Sequence, residues 1–383
     1  MQRVSSLGAF TLLAIACLTI MVGCVIVPAL PSIASQLGTP DAAGLLVTIP
    51  SLGVVIFGPV AGKLIDRVGL YKAVCIGLFF YGALGAGGVF LHGYTWVFAD
   101  RLLLGGATAL VMAGGTGLIS ALYSGKARLG MIAKQGMSIE LGGVIFLFIG
   151  GLLATISWQW PFVLYLVSWL MLAMLLAFVP RAGVDPAGRE SEAVSNRQPV
   201  PAALKRVFIA AVFSMLAFFT AIILLPLRLQ EMALTEAETG YFLSFVSFVA
   251  VLAAAGMPKL VTRTSEHSAL AVAFFCYSAA HLVFVFGGSV SVMAVGGIFM
   301  GVGFGFSVPL VNHMTVEQSH PQVRGRNLAY LSMAIFSGQF LCSAIELFPQ
   351  GDTSLLFAAS ALVALLVCVW AISGRGKAHT KIA

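Results

Sequence analysis

Asp100 and Arg101 stand side by side in "WVFADRLLLGGATAL", residues 96–110, within a long apolar run. Glu140 is the one carboxylate well inside the run that follows, "MSIELGGVIFLFIGGLL". Ionisable groups in apolar surroundings are costly, so each is a functional candidate by default. A carboxyl at such depth can carry a proton. A guanidinium beside one can bind an anionic group or tune the acid. Arg101 also admits a structural reading, its head reaching toward water or satisfied by Asp100 and backbone carbonyls. Glu140 suits proton coupling and a structural role equally. Gly136, Glu140, Gly143 and Gly150 share one helical stripe, so Glu140 is expected to face other helices and not lipid. His313, beside Asn312, is a further titratable candidate, and Gln339 is a candidate to line a cavity. His281 reads as packing, Glu317 and Glu346 as solvated near the ends of apolar runs, and Arg228 as the mark of such an end.

Other chemistry is excluded. No Gly-x4-Gly-Lys-Ser/Thr loop is present to hold ATP phosphates. Neither a His-Glu-x-x-His metal pair nor a Gly-x-Ser-x-Gly nucleophile turn occurs. The six cysteines have no metal or disulfide spacing and read as small packing residues. The chain is therefore not expected to be an enzyme, and no cofactor or metal is expected.

The elements that must position these groups follow from composition. The chain is 60% hydrophobic and 9% charged, with a mean hydropathy of +1.02. A soluble domain carries about a quarter charged residues. Windows of roughly 20 apolar residues, long enough to span a hydrocarbon core, recur along the chain. They predict twelve transmembrane helices at about 8–31, 42–61, 72–92, 96–122, 134–156, 159–180, 206–227, 239–258, 268–287, 290–314, 325–347 and 353–373. The alternation of a membrane β-barrel is missing. The fold class is an all-α multi-pass membrane protein.

The net charge of +7 does not call for nucleic acid. With both termini cytoplasmic, every Lys and Arg except Arg101 and Arg228 falls in or beside a cytoplasmic loop or tail, the positive-inside bias. "MVGC", ending at Cys24, faintly resembles a lipoprotein cleavage site, but cutting there would leave eleven helices and upset that bias.

One long hydrophilic stretch, "RAGVDPAGRESEAVSNRQPVPAALKR", divides the apolar runs. It sets residues 1–180 as an N-terminal six-helix bundle, 181–205 as a cytoplasmic linker and 206–383 as a C-terminal six-helix bundle. A shift of 196 residues lays "KLIDRVGLYKAVCIGLFFYGA" over "KLVTRTSEHSALAVAFFCYSA", Gly105 over Gly301, Arg128 over Arg324 and Gly142 over Gly338. Two parallel six-helix repeats are a common plan of secondary transporters.

Four motifs carry a family resemblance. In "GKLIDRVGLYK", Gly62, Asp66, Arg67 and Gly69 match the loop motif between the second and third helices of the major facilitator superfamily. Leu70 and Tyr71 displace its basic residues, so Lys72 comes next. "RLLLGGA" is similar to the fourth-helix motif at Arg101 and Gly105, with Leu104 replacing a usual Gln. "SWQWPFVLYLV" resembles the Trp-x-Trp lead-in to the sixth helix, and "VPALPSIASQL" the end of the first helix in drug:proton antiporters. The antiporters' fifth-helix motif is kept at Gly142, Gly150 and Gly151, but Phe146 and Leu147 stand where it has Gly-Pro.

The resemblance implies that the charged loop is a conformational gate. Asp66 would meet the positive N-terminal pole of the eleventh helix, where Arg324 lies, and latch the outward-facing state. Such a pole attracts a carboxylate by roughly 0.3–1 kcal/mol. The loop's glycines would allow a tight turn and close helix approach. The bland alternative is a set of charges that only anchors a cytoplasmic loop.

Together these features lead us to expect a proton-coupled secondary transporter of the inner membrane, monomeric and embedded in the lipid bilayer. It would exchange protons for a small-molecule substrate, exporting a drug or a metabolite such as a siderophore by alternating access. A proton-coupled importer of an organic anion remains open, because coupling direction is not written in these residues. A transport-inactive receptor or scaffold would need a large cytoplasmic segment for partners, and only about ten residues follow the last span.

Overall fold

The structure is a computed structural model that describes residues 4–181, 200–320, 323–347 and 353–373. Most of the linker expected at 181–205 and the residues after Ser373 lie outside these. Among the described residues the regular elements are all helical. They are α1 (Ser6–Cys24), α2 (Leu30–Gln36), α3 (Leu45–Val68), α4 (Leu70–Gly87), α5 (Tyr94–Leu122), α6 (Gly125–Ala154), α7 (Trp160–Val163), α8 (Val167–Phe178), α9 (Ala202–Glu231), α10 (Glu236–Arg263), α11 (Glu266–Phe286), α12 (Val290–Glu317), α13 (Arg324–Leu341) and α14 (Thr353–Ser373). Hydrocarbon offers no partner for a free N–H or C=O, so a chain this apolar closes its backbone bonds within helices.

Eleven stretches of the described residues are long and apolar enough to cross a membrane. They match eleven of the twelve expected spans. The exception is the stretch expected at 325–347. There α13 runs for 18 residues, begins with Arg324 and Arg326, and gives way to a 3-10 turn at Cys342–Leu347. Asn327, Ser332, Ser337 and Gln339 make it more polar than its neighbours.

Proline and glycine set the breaks. The first span is not one rod. α1 stops at Cys24, a 3-10 turn follows at Val27–Ala29, and α2 begins beside Pro28 and Pro31, which lack the N–H that would continue α1. Between α3 and α4 the chain turns on Gly69 alone, at φ +85° and ψ 157°. That backbone is open to glycine and strained for any residue with a Cβ.

The chain divides into two compact units, Met1–Pro186 with Ala233–Ser244, and Ala187–Met232 with Phe245–Ala383. In the first, α1 packs on α5, α6 and α8. α3 and α5 cross where Gly53 and Gly105 face each other, so close that a Cβ on either would strike the partner's backbone. α6 packs on the first turns of α10 in the same way, through Gly151 and Gly240. Ser244 Oγ donates to the Val144 carbonyl at 3.1 Å, and Ser32 Oγ donates to Glu236 Oε1 at 2.6 Å. Small residues let bare backbones approach where no hydrophobic effect drives helices together.

In the second unit α9 is the most buried helix, packed on α12, α13 and α14. α12 meets α10 at Gly301, where a Cβ would lie 2.5 Å from the Val246 carbonyl oxygen. Ser214, Tyr277 and Ser307, from α9, α11 and α12, close a buried ring of hydroxyls at 2.7–3.0 Å. A hydroxyl can both donate and accept, so the three serve one another as partners, and Ser307 Oγ also donates to the Phe304 carbonyl at 3.3 Å.

Candidate functional site

Among the described residues Arg101 is the largest fully buried side chain, 1% exposed. It projects from α5 into the space between α1, α4 and α7. Its Nη1 donates to the Tyr165 hydroxyl at 3.1 Å, which in turn donates to the Val22 carbonyl at 2.8 Å. Val22 lies in the last turn of α1, where carbonyls lose their helical partners, so Arg101 acts through Tyr165 on the point where the first span breaks. The guanidinium carbon also sits 5.1 Å from the Phe162 ring centroid and 5.6 Å from that of Tyr165. Cation–π contacts of this kind are worth about 2 kcal/mol when desolvated. Asp100, 8% exposed, shares the pocket, and the ends of both charged groups reach over Gly88.

Glu140 lies elsewhere in the same unit. It is half-buried on α6, and no hydrogen bond or ion pair reaches it among the described residues. Its neighbours on the helix pack on α1: the Ser138 carbonyl accepts from Cys17 Sγ at 2.9 Å, and Gly142 lies against Cys17. Of the expected stripe, Gly150 lies against Val25, just past the end of α1, while nothing lies within 4 Å of where a Cβ on Gly136 would be; Gly142 is off that stripe.

The remaining candidates are scattered. His313 Nε2 stands 3.5 Å from Glu266 Oε1, an exposed histidine and a half-buried carboxylate joining the last turns of α12 to the first turn of α11. Gln339 is buried on α13. Arg324 opens α13 half-buried, with its Nε buried and unpartnered. Asp66, Arg67 and Lys72 are all exposed. Gly69 takes the tight turn expected of the loop. Gly62 does not serve a close approach, since nothing lies within 4 Å of where its Cβ would be. Gly69→Ala should therefore destabilise the purified protein by about 1–3 kcal/mol, the cost of a backbone region nearly reserved for glycine. An unchanged melting temperature would contradict the turn.

Of the three substrate or proton candidates in the first unit, the structure joins Asp100 with Arg101 and carries Glu140 on another helix, α6, while His313 and Gln339 belong to the second unit. Gly88, Phe162 and Tyr165 were not singled out as site residues in the sequence. Phe162 and Tyr165 lie three apart, which puts both rings on one side of the chain, a signal available in "SWQWPFVLYLV". Gly88 had no such signal. Arg228, expected to mark a helix end, pairs there with Glu231 at 2.9 Å and reaches the Gly287 carbonyl at 3.4 Å.

Residues 11–343 match the profile of the Major Facilitator Superfamily. The quinolone resistance protein NorA of Staphylococcus aureus is 29% identical over 138 residues, 36% of this chain and 36% of NorA. Multidrug resistance protein 1 of Bacillus subtilis (strain 168) is 28% identical over 159 residues, 40% of each chain. The aligned stretches thus span well under half the length of these relatives. A transporter of the POT family, solved in complex with 5-aminolevulinic acid, shares the fold with a TM-score of 0.78 at 12% identity, over 97% of this chain and 96% of its own. A family match running from α1 into the turn after α13, with a transporter fold shared nearly end to end, settles the class: the chain is a multi-pass membrane protein of the Major Facilitator Superfamily, among transporters and not enzymes.

Proposed function

We propose that the protein is a proton-coupled exporter of a small organic compound, a drug or a metabolite such as a siderophore, working as a monomer by alternating access. The similarity to NorA and to Multidrug resistance protein 1 carries this reading, because both are named for resistance to compounds of that kind. Both termini face the cytoplasm, following the bias of Lys and Arg.

The chain is built from two six-helix repeats joined by the 181–205 linker. Packing equivalences at the offset found in the sequence support this. Gly105 lies against Pro50 and Gly53, and 196 residues on Gly301 lies against Val246 and Val249. The Tyr81 hydroxyl donates to the Leu18 carbonyl, and 196 residues on Tyr277 bonds Ser214.

Protons enter on a carboxyl that the substrate and the conformational change can discharge. Glu140 is the first choice, because it is half-buried within a span and no hydrogen bond or ion pair reaches it among the described residues. Asp100 is the second, held near Arg101. Asp66, Arg67 and Arg324 act in the gate, with Gly69 as its turn. His313 and Gln339 are the weaker substrate or proton residues. No nucleotide drives the cycle.

The test is proton movement in liposomes loaded with a pH dye, with drugs, siderophores and organic acids added in turn. Export predicts proton flux opposite to the substrate, falling to background in Glu140→Gln while substrate still binds. Normal coupled flux in Glu140→Gln would remove Glu140 from the coupling path and leave Asp100 as the carrier. Proton flux alongside an organic anion would favour the second reading, import. That reading draws on Phe146 and Leu147, where antiporters carry Gly-Pro, and on the buried Arg101.

A further inference from the structure

His281, which reads as packing in the sequence, is wholly buried on α11. Its ring centroid stands 5.9 Å from that of Phe357 and 6.4 Å from that of Phe284. Packing is only half of its role. Nε2 lies 3.0 Å from the Ala217 carbonyl oxygen of α9. A carbonyl can only accept, so Nε2 carries the proton and the imidazole stands as that tautomer.

One turn earlier on the same face of α11, Tyr277 bonds Ser214, three residues before Ala217. α11 therefore grips α9 at two successive heights. Phe218, next to Ala217, lays its ring on that of Phe304 from α12, with centroids 3.9 Å apart and planes inclined by 28°. Both rings are buried. A stack this close leaves α9 little freedom to turn about its axis, and the bond at Ala217 opposes that turn from the next residue.

The first unit holds its opening helix by other means. At the offset of 196 residues Tyr277 falls on Tyr81, whose hydroxyl donates to the Leu18 carbonyl of α1 at 2.7 Å. His281 falls on Gly85, where a Cβ would strike the Tyr165 ring. Tyr165 fills that space and donates to the Val22 carbonyl, one turn further along α1. Each opening helix thus has a tyrosine grip and then a second buried donor. In the first unit that donor is Tyr165, backed by Arg101. In the second, Gly297 stands at the place of Arg101, and the donor is His281.

We propose that His281 is a positioning residue, whose Nε2–H holds the Ala217 carbonyl and so fixes the Phe218 ring on Phe304. The parallel with Tyr165 rests on the two-repeat reading above. The grip rests on contacts within the second unit alone, and its test needs no transport activity.

The test replaces Phe218 by para-fluorophenylalanine in the full purified chain and records its fluorine resonance. The Phe304 ring current shifts that resonance, and Phe304→Leu identifies the shift by abolishing it. In His281→Gln, whose amide N–H reaches about as far as Nε2, the shift should be kept. In His281→Leu, which has no donor, it should fall toward the Phe304→Leu value or split into several lines. An unchanged shift in His281→Leu would make His281 packing alone and refute the proposal. Equal loss in both His281 variants would assign the role to the ring and not the donor, and would refute it as well. If His281→Leu does not fold, the parent protein decides. With isotope-labelled histidine rings and alanine carbonyls, a protonated Nε2 should show dipolar coupling to an alanine carbonyl, and His281→Gln should remove that signal. Its absence from the parent protein would overturn the proposal.

Discussion

Arg101→Ala is expected to destabilise the folded protein by about 3–5 kcal/mol, the usual cost of removing one partner from a buried charge pair. Three losses combine. Asp100 keeps its burial without the nearby positive charge. The Tyr165 hydroxyl loses the donor that orients it toward the Val22 carbonyl. The Phe162 and Tyr165 rings lose the cation beside them. Arg101→Lys should restore only part of the loss. An ammonium is a point charge that cannot hold Tyr165 while its flat face lies along two rings. Asp100→Asn added to Arg101→Ala should recover part of the loss, because it removes the uncompensated carboxylate. Melting curves of the parent, Asp100→Asn, Arg101→Ala and the double variant in one detergent give the coupling directly. If Arg101→Ala melts with the parent protein, the guanidinium does not sit among these rings but reaches water, as the snorkelling alternative requires.

How far this site could be read in advance depended on the kind of signal each residue leaves. Asp100 and Arg101 announced themselves because charge in an apolar run has no cheap explanation. The helices did so because a bilayer admits little else. Tyr165 and Gly88 were hidden for a physical reason. A tyrosine in an apolar span is ordinary packing until its hydroxyl finds a partner, and Arg101 and the Val22 carbonyl come from helices distant in sequence. A glycine says that space is needed but not against what. The glycines of α6 show the same limit: of the expected stripe, Gly150 lies against Val25, while the Cβ position of Gly136 is open, and the close contacts at Gly142 and Gly151 lie off that stripe. Hydropathy also blurred breaks that the prolines could have located, so 8–31 was read as one helix although Pro28 and Pro31 interrupt it. The stretch at 325–347 is helical as expected, but it is less apolar than the other spans, its polar residues hidden inside an apolar average.

Gly105→Val should have the second large effect, and it separates a glycine of the fold from a glycine of the cycle. A Cβ on Gly105 would fall on the Pro50 carbonyl oxygen and lie 2.8 Å from the Gly53 Cα. Neither obstacle is a side chain that can swing aside, so α3 and α5 would have to part where their backbones meet. Overpacking a well-filled contact costs about 1–3 kcal/mol and occasionally more, and a backbone obstacle puts this case at the upper end. Gly105→Ala should be milder, because it adds one carbon. Gly62→Ala is the counterpart. Its Cβ would meet nothing within 4 Å, so its melting temperature should match the parent protein's. Any loss of transport in Gly62→Ala would then have no folding explanation and would belong to the gate, in a conformation where Gly62 does meet a neighbour. Full transport with normal stability would strip Gly62 of the gating role that the loop motif suggests, leaving Gly69 as the glycine the loop needs. A Gly105→Val protein as stable as the parent would mean that α3 and α5 do not cross backbone to backbone.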